Sequence, residues 1–396
     1  MGTQFTGLSS ANFFPDPGPD LPRIYLRSNG NVEPATAPIE KSGNIYKLTD
    51  NIAMHTIVIQ CDNIVLDGSG YLIQGNKSWM GTAHIAGNNG IIIEGKNNVN
   101  ITNCSIEKFT VGFRISDSSN INIVGNLFAE GAAAMDTPAG IIIDDSSFVL
   151  IESNNFTRIQ AISGSGAHLT IRRNTLTYGG ITLEGSSNII SDNKIETVFE
   201  AIRLGLADLN LIARNNITGP ISFVSCSNNR IFGNNMTGIR IVFGSNNTVY
   251  DNYLPNNFCS IELTQTVNNT FYGNTFALNC TVRFNDAGTN FWDNGTLGNY
   301  WNDYNGTDSN RDGISDSPYI ITGVKWDNDA GGDVSFPIGQ DNYPLMSPYD
   351  HEHEVVVLPK AEPFLAVIVT VAIAIVVGAG LLVFHRRKRR CKVEQA

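Results

Sequence analysis

A short pattern that returns about every 21 residues is the feature of this sequence that most constrains its fold. In each copy, one apolar residue stands three positions before an Asn and another stands two positions after it, as in Ile123, Asn126 and Phe128. Cys104 takes the Asn position one copy earlier, and the later copies are centred on Asn154, Asn174, Asn193, Asn215, Asn234, Asn252 and Asn274. Because so short a unit cannot bury its apolar side chains alone, the pattern predicts a solenoid of stacked units.

Each repeat holds two further segments, a small-apolar-x-apolar run such as Gly140–Ile143 and a Ser-Ser-Asn turn such as 186–188. Three strands and three turns per repeat make one coil of a parallel β-helix, whereas leucine-rich repeats of this length need a Leu-x-x-Leu-x-Leu signature that is absent. Only 16% of the residues are charged, and 46 Asn and 38 Gly favour tight turns over helices. We predict an all-β, right-handed parallel β-helix of about nine to ten coils, with terminal caps and one C-terminal transmembrane helix.

The recurring Asn residues are predicted to be structural. Coils of a parallel β-helix lie about 4.8 Å apart, so these side chains form one column and can hydrogen-bond to one another as an inward amide ladder. The residue after each ladder Asn then points outward. Among the Asn-x-Ser/Thr sequons, this makes Asn155, Asn216 and Asn235 accessible candidates for glycosylation.

The same scheme divides the chain into segments. An irregular segment (1–22) precedes the N-terminal cap strands (23–60), the β-helix repeats (61–289) and an aromatic-rich C-terminal cap (290–349). A polar linker (350–362), a transmembrane helix (363–384) and a basic cytoplasmic tail (385–396) follow. The repeats and caps together are the predicted ectodomain.

An uncharged apolar run from Phe364 to Phe384 is followed at once by a basic tail. As a helix, these 21 residues span about 31 Å, enough to cross a bilayer core. The tail has six positive charges and one negative charge, so the positive-inside rule places it in the cytoplasm. We expect a single-pass protein of the cell membrane with an extracellular ectodomain. Residues 1–22 lack the apolar stretch of a secretory signal, so we expect a missing leader or another export route.

Two motifs that flank the repeats carry a resemblance to a known group of proteins. They are DNIVLDGSG at 62–70 and GNYWNDY at 298–304. With the coils between them, they resemble the right-handed parallel β-helix proteins of the NosD-like, carbohydrate-binding and sugar-hydrolase (CASH) type, and in layout the membrane-anchored archaeal surface versions. The resemblance covers roughly residues 20–350. It implies the fold and leaves binding, structural and catalytic roles open. NosD is associated with copper-site maturation, whereas the six Met here are scattered, without a Cys/His/Met cluster.

A segment of the C-terminal cap has the spacing of a calcium loop. It offers oxygen ligands at loop positions 1, 3, 5, 7 and 9, from Asp308, Asn310, Asp312, the backbone carbonyl of Ile314, and Asp316. Gly313 stands at the turn position, but Tyr319 replaces the bidentate Glu at position 12. We predict weak calcium binding or help from another carboxylate, and the alternative is an Asx-rich turn without an ion.

Six cysteines are present, and two of them are predicted to form a disulfide. Cys259 and Cys280 each stand two residues before matching strands, so they should lie in adjacent coils within bonding distance. The alternative is a pair of buried thiols. Cys61, Cys104 and Cys226 are predicted to pack in the core.

Charged residues on the outward strand face are the candidates for catalysis. Aligning the coils places Arg114 and Arg203 in one outward column and Asp144 and Glu184 in the next, with Asp145 beside them. The carboxylates of Asp144 and Glu184 would lie two coils, or about 10 Å, apart. Glycosidase pairs need about 5–5.5 Å or 6.5–9.5 Å, so this spacing is at the edge of the range. The alternative interpretation is solvated charges on an exterior sheet.

These observations leave three hypotheses for the function. The first is a membrane-anchored surface β-helix that binds carbohydrate or cell-envelope components without catalysis. The second is a surface polysaccharide hydrolase or lyase, and the third, from the resemblance, is a NosD-like factor of copper maturation. We expect glycans or envelope components and the membrane as partners and calcium as the bound ion. We expect no nucleic acid partner and no nucleotide or organic cofactor.

Overall fold

The computed structural model describes residues 21–75, 89–131, 138–255, 260–276, 280–285, 288–327 and 332–348. The predicted linker, transmembrane helix and cytoplasmic tail lie outside these ranges, as does nearly all of the N-terminal irregular segment. Within the described ranges the regular structure is β-strand, and no helix there is long and apolar enough to cross a membrane.

The strands form a stack of about ten coils, each made of a first strand, turn 1, a second strand, turn 2, a third strand and turn 3. Equivalent strands of successive coils pair in parallel, so that Ile115 lies opposite Ile93 in one neighbour and Ile143 in the other. First and second strands belong to one sheet, and third strands form separate sheets. The predicted all-β, right-handed parallel β-helix is confirmed.

Strand lengths within the coils are short and regular. The first strands are Thr56–Ile59, Asn89–Glu94, Val111–Ser116, Ala139–Glu152, Gln160–Ala167, Ile181–Glu184, Ile202–Gly205, Pro220–Val224, Gly238–Val242, Ser260–Thr264 and Thr281–Asn285. The second strands are Ile64–Asp67, Asn97–Thr102, Ser119–Val124, the later part of Ala139–Glu152, Thr170–Arg172, Ile189–Ser191, Leu211–Ala213, Arg230–Phe232, Thr248–Tyr250 and Thr270–Tyr272. The third strands are Ile52–Ala53, Leu72–Gln74, Ser105–Glu107, Leu127–Ala129, Asn155–Thr157, Thr175–Thr177, Lys194–Glu196, Asn216–Ile217, Tyr253–Leu254, Thr275–Phe276 and Tyr300–Trp301.

Inward side chains of the three strands fill one apolar core that runs along the stack. Because side chains alternate along a strand, Ile141 and Ile143 point inward and are fully buried. Aromatic rings repeat from coil to coil, and the ring centroids of Phe128 and Phe156 lie 4.7 Å apart in a parallel stack. The free cysteines Cys61, Cys104 and Cys226 are buried in this core, as the sequence predicts.

The Asn residues of the sequence repeat form the predicted amide ladder at turn 2. Asn193 is typical, because its side-chain Nδ2 donates to Oδ1 of Asn215 at 3.0 Å and to the carbonyl of Ile171 at 2.9 Å. Its own Oδ1 accepts from the backbone and side-chain nitrogens of Asn174. The ladder consists of Asn126, Asn154, Asn174, Asn193, Asn215, Asn234, Asn252, Asn274 and Asn299. Each buried amide is thereby satisfied.

A second amide ladder lies at turn 1, where the sequence indicated only a turn. It consists of Asn188, Asn210, Asn229, Asn247, Asn269 and Asn290. The exposed Asn228, Asn246 and Asn268 directly precede three of its members and adopt the left-handed conformation. The Asn-Asn pairs in the sequence therefore combine an outward turn residue with an inward ladder residue.

Both ends of the stack are covered by strands that do not follow the coil pattern. At the N-terminal end, Arg23–Leu26 pairs with Thr56–Ile59, and Val32–Glu33 and the hairpin of Ile39–Ser42 and Ile45–Leu48 lie beside them. At the other end, coil pairing continues past residue 289 to Trp301, one coil beyond the predicted end of the repeats. An antiparallel hairpin of Tyr319–Asp327 and Gly332–Asp341 then pairs with the last first strand.

Asp341 fixes this hairpin to the last coil. Its side chain is fully buried and accepts hydrogen bonds from the backbone nitrogen of Asn299 at 2.7 Å and the indole nitrogen of Trp301 at 2.9 Å. Asn299 is the final member of the turn 2 ladder, so the carboxylate of Asp341 ends that ladder. Burial raises the pKa of Asp341 to about 6, against the opposing effect of these hydrogen bonds.

Candidate functional site

Turn 1 contains two columns of residues with positive φ. Most members are Gly, Asn, Asp or Ser, which adopt the left-handed conformation at least cost. Four members are bulky and apolar instead: Phe148 at φ 52°, Leu206 at 47°, Leu209 at 59° and Phe243 at 56°. For such side chains the left-handed backbone costs about 1–2 kcal/mol each. Their presence here therefore opposes stability.

The same four side chains are largely exposed to solvent, so burial offsets only part of that cost. Phe148 is 54% exposed, Leu206 71%, Leu209 63% and Phe243 55%. A strained backbone and an exposed apolar side chain at the same position are together typical of a surface that contacts something outside the chain. We call the edge carrying these four residues the turn 1 edge.

A groove of about 510 Å³ crosses the turn 1 edge in its middle coils. Its floor is made of small residues, because two successive coils carry Ser165, Gly166 and Ala167 and then Gly185 and Ser186. A Cβ on Gly185 would lie 2.1 Å from the carbonyl oxygen of Gly166, and its φ is +103°, so only glycine fits there. Absent side chains on these coils create the depression.

Walls of different character bound the groove on its two sides. Asp145, Ser146 and Ser147 lie on the N-terminal side, and Leu206 lies on the C-terminal side with Glu184 beside the floor. Phe148 directly follows Ser147 and stacks on His168, with ring centroids 4.9 Å apart and planes 8° from parallel. Hydroxyl and carboxylate groups thus lie between an aromatic pair and an exposed leucine.

A β-bulge positions the carboxylates of the N-terminal wall. Asp144 and Asp145 together lie opposite the single residue Ser165 of the next coil, where the register shifts. The backbone nitrogen of Asp145 donates to the hydroxyl of Ser165 at 3.3 Å. Both carboxylates lie at the turn 1 edge, where Asp144 is also the Cα partner of Ser116 in the preceding coil, and bulges are common beside binding sites.

Asp144 is the predicted candidate that forms an ion pair beside the groove and has a raised pKa. Its Oδ2 lies 3.0 Å from Nη2 of Arg114, and both side chains are 35% exposed. Burial raises the pKa of Asp144, Arg114 opposes that increase, and the charges of Asp145 and Asp117 add to it, so the pKa is above its usual value. Asp144 and Arg114 form an ion pair next to the groove.

The structure places the other predicted candidates in separate surroundings. Asp145 and Glu184 line the groove, but Arg203 does not, because its Nη1 lies 3.0 Å from Oε2 of Glu200 in another part of the first-strand face. Arg203 continues a column in which Arg240 bonds to Glu262 at 3.2 Å. Both arginines of this column are engaged in ion pairs with carboxylates, which is typical of a charged exterior sheet.

Register sets the separation of the groove carboxylates. Ser165 is the Cα partner of Glu184 and lies opposite the bulge of Asp144 and Asp145 on its other side. Two coil rises, or about 10 Å, therefore separate the strand positions of these acids. Side-chain carboxylates at that separation fall outside the retaining geometry and at the limit of the inverting geometry of glycosidases.

Sequence reasoning identified the carboxylates of the groove but not its apolar boundary. Phe148, Leu206 and Phe243 occupy columns where other coils carry Asp, Asn or Ser. That contrast is visible in the aligned repeats and could have predicted the apolar residues of the turn 1 edge. The β-bulge was not foreseeable from the repeat, since it depends on pairing between two particular coils.

The predicted calcium loop folds around its own backbone amides. Asp308 accepts from the backbone nitrogens of Arg311, Asp312 and Gly313, at 2.6, 3.2 and 2.9 Å. Its remaining predicted ligands also bond within the loop, since Asp316 accepts from Ser309. In the described parts of the chain, no group of three His, Cys, Asp or Glu side chains is arranged to hold a metal ion. Calcium binding by this loop stays a prediction.

Two further sequence predictions concern modification and disulfide formation. Asn155, Asn216 and Asn235 lie on third strands or their continuation with exposed side chains. Cys280 is disulfide-bonded, while Cys259, its predicted partner, lies outside the described residues.

Comparison with known proteins bears on the fold. The family model described as the right handed beta helix region matches residues 41–176 and 136–276. A search of curated proteins found no match.

Three solved structures illustrate the likeness to other β-helices. A mutant of the periplasmic alginate epimerase AlgG is 15% identical over 66% of this chain and 72% of its own, with a TM-score of 0.46. DFA-IIIase from Arthrobacter chlorophenolicus in complex with DFA-III is 13% identical over 63% and 58%, with a TM-score of 0.38. A hyperthermoactive exopolygalacturonase from Thermotoga maritima is 11% identical over 66% and 77%, with a TM-score of 0.33. These scores are low, and none of the three likenesses bears on the chemistry of turn 1.

Proposed function

Because the chain belongs to the right-handed β-helix family, we propose that it binds an extended polysaccharide along the turn 1 edge without cleaving it. The observation that carries this proposal is the set of exposed apolar residues held in left-handed backbone, Phe148, Leu206, Leu209 and Phe243. Sugar rings have apolar faces, which pack on such side chains, and hydroxyl groups around their edges, which need polar partners.

The groove supplies those partners between the apolar contacts. Ser147 and Ser186 offer hydroxyl groups, and Asp145 and Glu184 offer carboxylate acceptors. Phe148 and Leu206 lie three coils apart, or about 14 Å, and Phe243 lies a further two coils along. An extended polysaccharide can therefore contact these apolar residues one after another. Some of its sugar rings would pack on Phe148, Leu206 or Phe243, and the rings between them would hydrogen-bond to the groove.

Binding without cleavage is favoured by the arrangement of the acids. Catalytic pairs in glycosidases act across one bond, whereas the strand positions of Asp144 and Glu184 are about 10 Å apart. Asp144 is also held by Arg114 in an ion pair. We propose that these groups position hydroxyls of the ligand.

A second candidate function rests on one specific observation, the raised pKa of Asp144. A carboxyl group with a raised pKa beside a groove is suited to act as a general acid. On this alternative the protein is a surface polysaccharide hydrolase or lyase in which Asp144 protonates or deprotonates the sugar.

We further propose that the β-helix acts outside the cell, anchored by the predicted membrane span at 363–384, and that calcium binds at 308–316. The support is the apolar run with its basic tail and the oxygen-rich loop spacing. Anchoring would hold the turn 1 edge near the glycans of the envelope.

A glycan array probed with the full-length protein in detergent tests the proposal. We expect binding that is lost in Phe148→Asn and Leu206→Gly, because both changes remove an apolar contact and leave a residue suited to the backbone. Phe199→Ser is the matched control, since Phe199 is 68% exposed outside the turn 1 edge.

A reducing-end assay on each bound glycan separates the two candidate functions. Binding with no release of reducing ends supports the first function, polysaccharide binding without cleavage. Turnover that is abolished by Asp144→Asn would establish the second, and binding unaffected by Phe148→Asn and Leu206→Gly would disprove the turn 1 edge as the site.

A further inference from the structure

The third strands display the predicted glycosylation sites in a single outward column. Leu127 is the Cα partner of Asn155, and farther along the stack Asn235 pairs with Asn216 on one side and Tyr253 on the other. All three Asn side chains are exposed. Leu127 and Tyr253 are exposed too, at 39% and 41%. Two of the three sequon residues thus stand directly beside an exposed apolar side chain in the middle of a sheet.

We propose that Asn155 and Asn235 carry N-linked glycans whose first sugars cover Leu127 and Tyr253. The apolar face of a sugar ring attached to either Asn reaches the side chain one coil away, which is about 4.8 Å along the stack. Such packing removes from water the two exposed apolar groups of this column. The inference rests on the extracellular location proposed above.

Space is available for the sugar on Asn155. A groove of about 880 Å³ next to this residue is lined by Leu127, Ser105, Gly125 and Ser153. Gly125 has no side chain to fill the groove, and the two serines offer hydroxyl groups to the sugar. The nitrogen Nδ2 of Asn155 has no hydrogen-bond partner among the described residues, so it is open to modification.

Neighbouring sequons differ in ways that make the assignment specific. Asn216 is the direct coil partner of Asn235, so a glycan on Asn235 leaves no room for one on Asn216. Asn100 is only 7% exposed. Nδ2 of Asn103 donates to Asp67 at 3.2 Å. We therefore assign no glycan to Asn100 or Asn103.

The modification joins the side-chain amide to a sugar from a lipid-pyrophosphate-linked oligosaccharide. A bond forms between Nδ2 and the anomeric carbon as the bond between that carbon and the pyrophosphate oxygen breaks. The amide nitrogen loses one proton, and the lipid pyrophosphate leaves as the second product. Thr157 and Thr237 supply the hydroxyl residues of the two sequons.

Glycopeptide mass spectrometry tests the assignment on the full chain expressed in yeast behind a secretion leader. Only molecules whose leader has been removed are analysed, because removal proves entry into the glycosylating compartment independently of the native location. We expect glycans on Asn155 and Asn235 and none on Asn216 in a molecule modified at Asn235. An unmodified Asn155, or a molecule modified at both Asn216 and Asn235, would overturn the proposal.

A thermal-unfolding comparison tests the packing of the sugar. We expect Asn155→Gln to lower the melting temperature of the glycosylated protein. In a Leu127→Ser background the same change should have a smaller effect, because the apolar contact is already absent. Equal losses in both backgrounds would show that the sugar does not pack on Leu127.

Discussion

Trp301 donates a hydrogen bond from its indole nitrogen to the buried carboxylate of Asp341 at 2.9 Å, and this bond joins the last coil to the hairpin that covers it. Asp341→Asn should destabilise the protein by about 1–3 kcal/mol, because an amide keeps one acceptor oxygen and presents a donor to another N–H group. Chemical unfolding of the two proteins measures the difference. Unchanged stability would contradict the anchoring role of Asp341.

Asp341 should also give the stability a distinctive dependence on pH. Burial raises its pKa from 3.8 to about 6 in the folded protein. When the pKa of a group is higher in the folded state than in the unfolded state, its contribution to folding stability is fully present at pH values below the unfolded-state pKa. That contribution is lost as the pH rises through the folded-state pKa. We expect the wild type to lose stability relative to Asp341→Asn between about pH 4 and pH 7. A difference between the two proteins that is constant across this range would contradict the raised pKa.

Gly298 should tolerate no side chain. A Cβ at this position would lie 1.7 Å from Oδ1 of Asp341, so Gly298→Ala must displace the carboxylate or the strand. We expect a loss of roughly 1–3 kcal/mol, typical of overpacking. Gly332→Ala in the hairpin that carries Asp341 is the control, because nothing lies within 4 Å of a Cβ placed there. Similar melting temperatures for both variants would show that the hairpin adjusts freely.

Removing one amide from the turn 2 ladder should be costly although no charge is involved. Asn193→Ala leaves the backbone nitrogen of Asn174 without its acceptor and removes the side-chain donor of the Ile171 carbonyl. The side-chain nitrogen of Asn174 loses one of its three acceptors. Each unsatisfied buried group costs about 1–3 kcal/mol. Thr175→Ala is the control at an exposed position of the third strand. Calorimetry should show a large loss for the first variant and almost none for the second.

Relieving the backbone at turn 1 should raise stability. Phe148→Asn and Leu206→Gly replace bulky residues at positive φ with residues that favour it, which is worth about 1 kcal/mol each. If ligand binding falls while the melting temperature rises, the strain at these positions serves binding. A lower melting temperature in both variants would instead show that Phe148 and Leu206 stabilise the fold.

Calcium at millimolar concentration should raise the melting temperature if the loop at 308–316 binds it. Asp312→Asn is the informative variant, because an amide oxygen still accepts from the backbone of Ile314 while the charge is lost. We expect the calcium-dependent increase to be smaller in this variant than in the wild type. If calcium does not change the melting temperature of the wild type, the loop is an Asx-rich turn that does not bind the ion.

Sequence periodicity predicted the features that every coil repeats. The turn 2 ladder was recoverable because apolar residues flank Asn126, Asn154 and their successors at constant spacing. The inward position of the second ladder was not, because residues such as Asn228 and Asn229 are adjacent and chemically identical, and only the backbone conformation shows which points inward.

Features that occur only once in the molecule could not be predicted from the sequence repeat. The β-bulge at Asp144 and Asp145 depends on the length of two particular coils, and the burial of Asp341 depends on where a long hairpin folds back. The charged columns of the first strands were aligned correctly, but the ion pairs that engage Arg114 and Arg203 required side-chain positions.

The two amide ladders also fix the spacing between coils along the whole stack that they span. Each ladder joins adjacent coils through hydrogen bonds of nearly constant length, such as 3.0 Å from Asn210 to Asn229 and 2.9 Å from Asn229 to Asn247. Coils that are hydrogen-bonded at two turns cannot separate or change register. Distances along the stack between equivalent outward residues are therefore whole multiples of the coil rise. Duplicating one coil would lengthen the molecule by one step without disturbing the rest, and the spacing that a bound chain meets on the surface would change by that same increment.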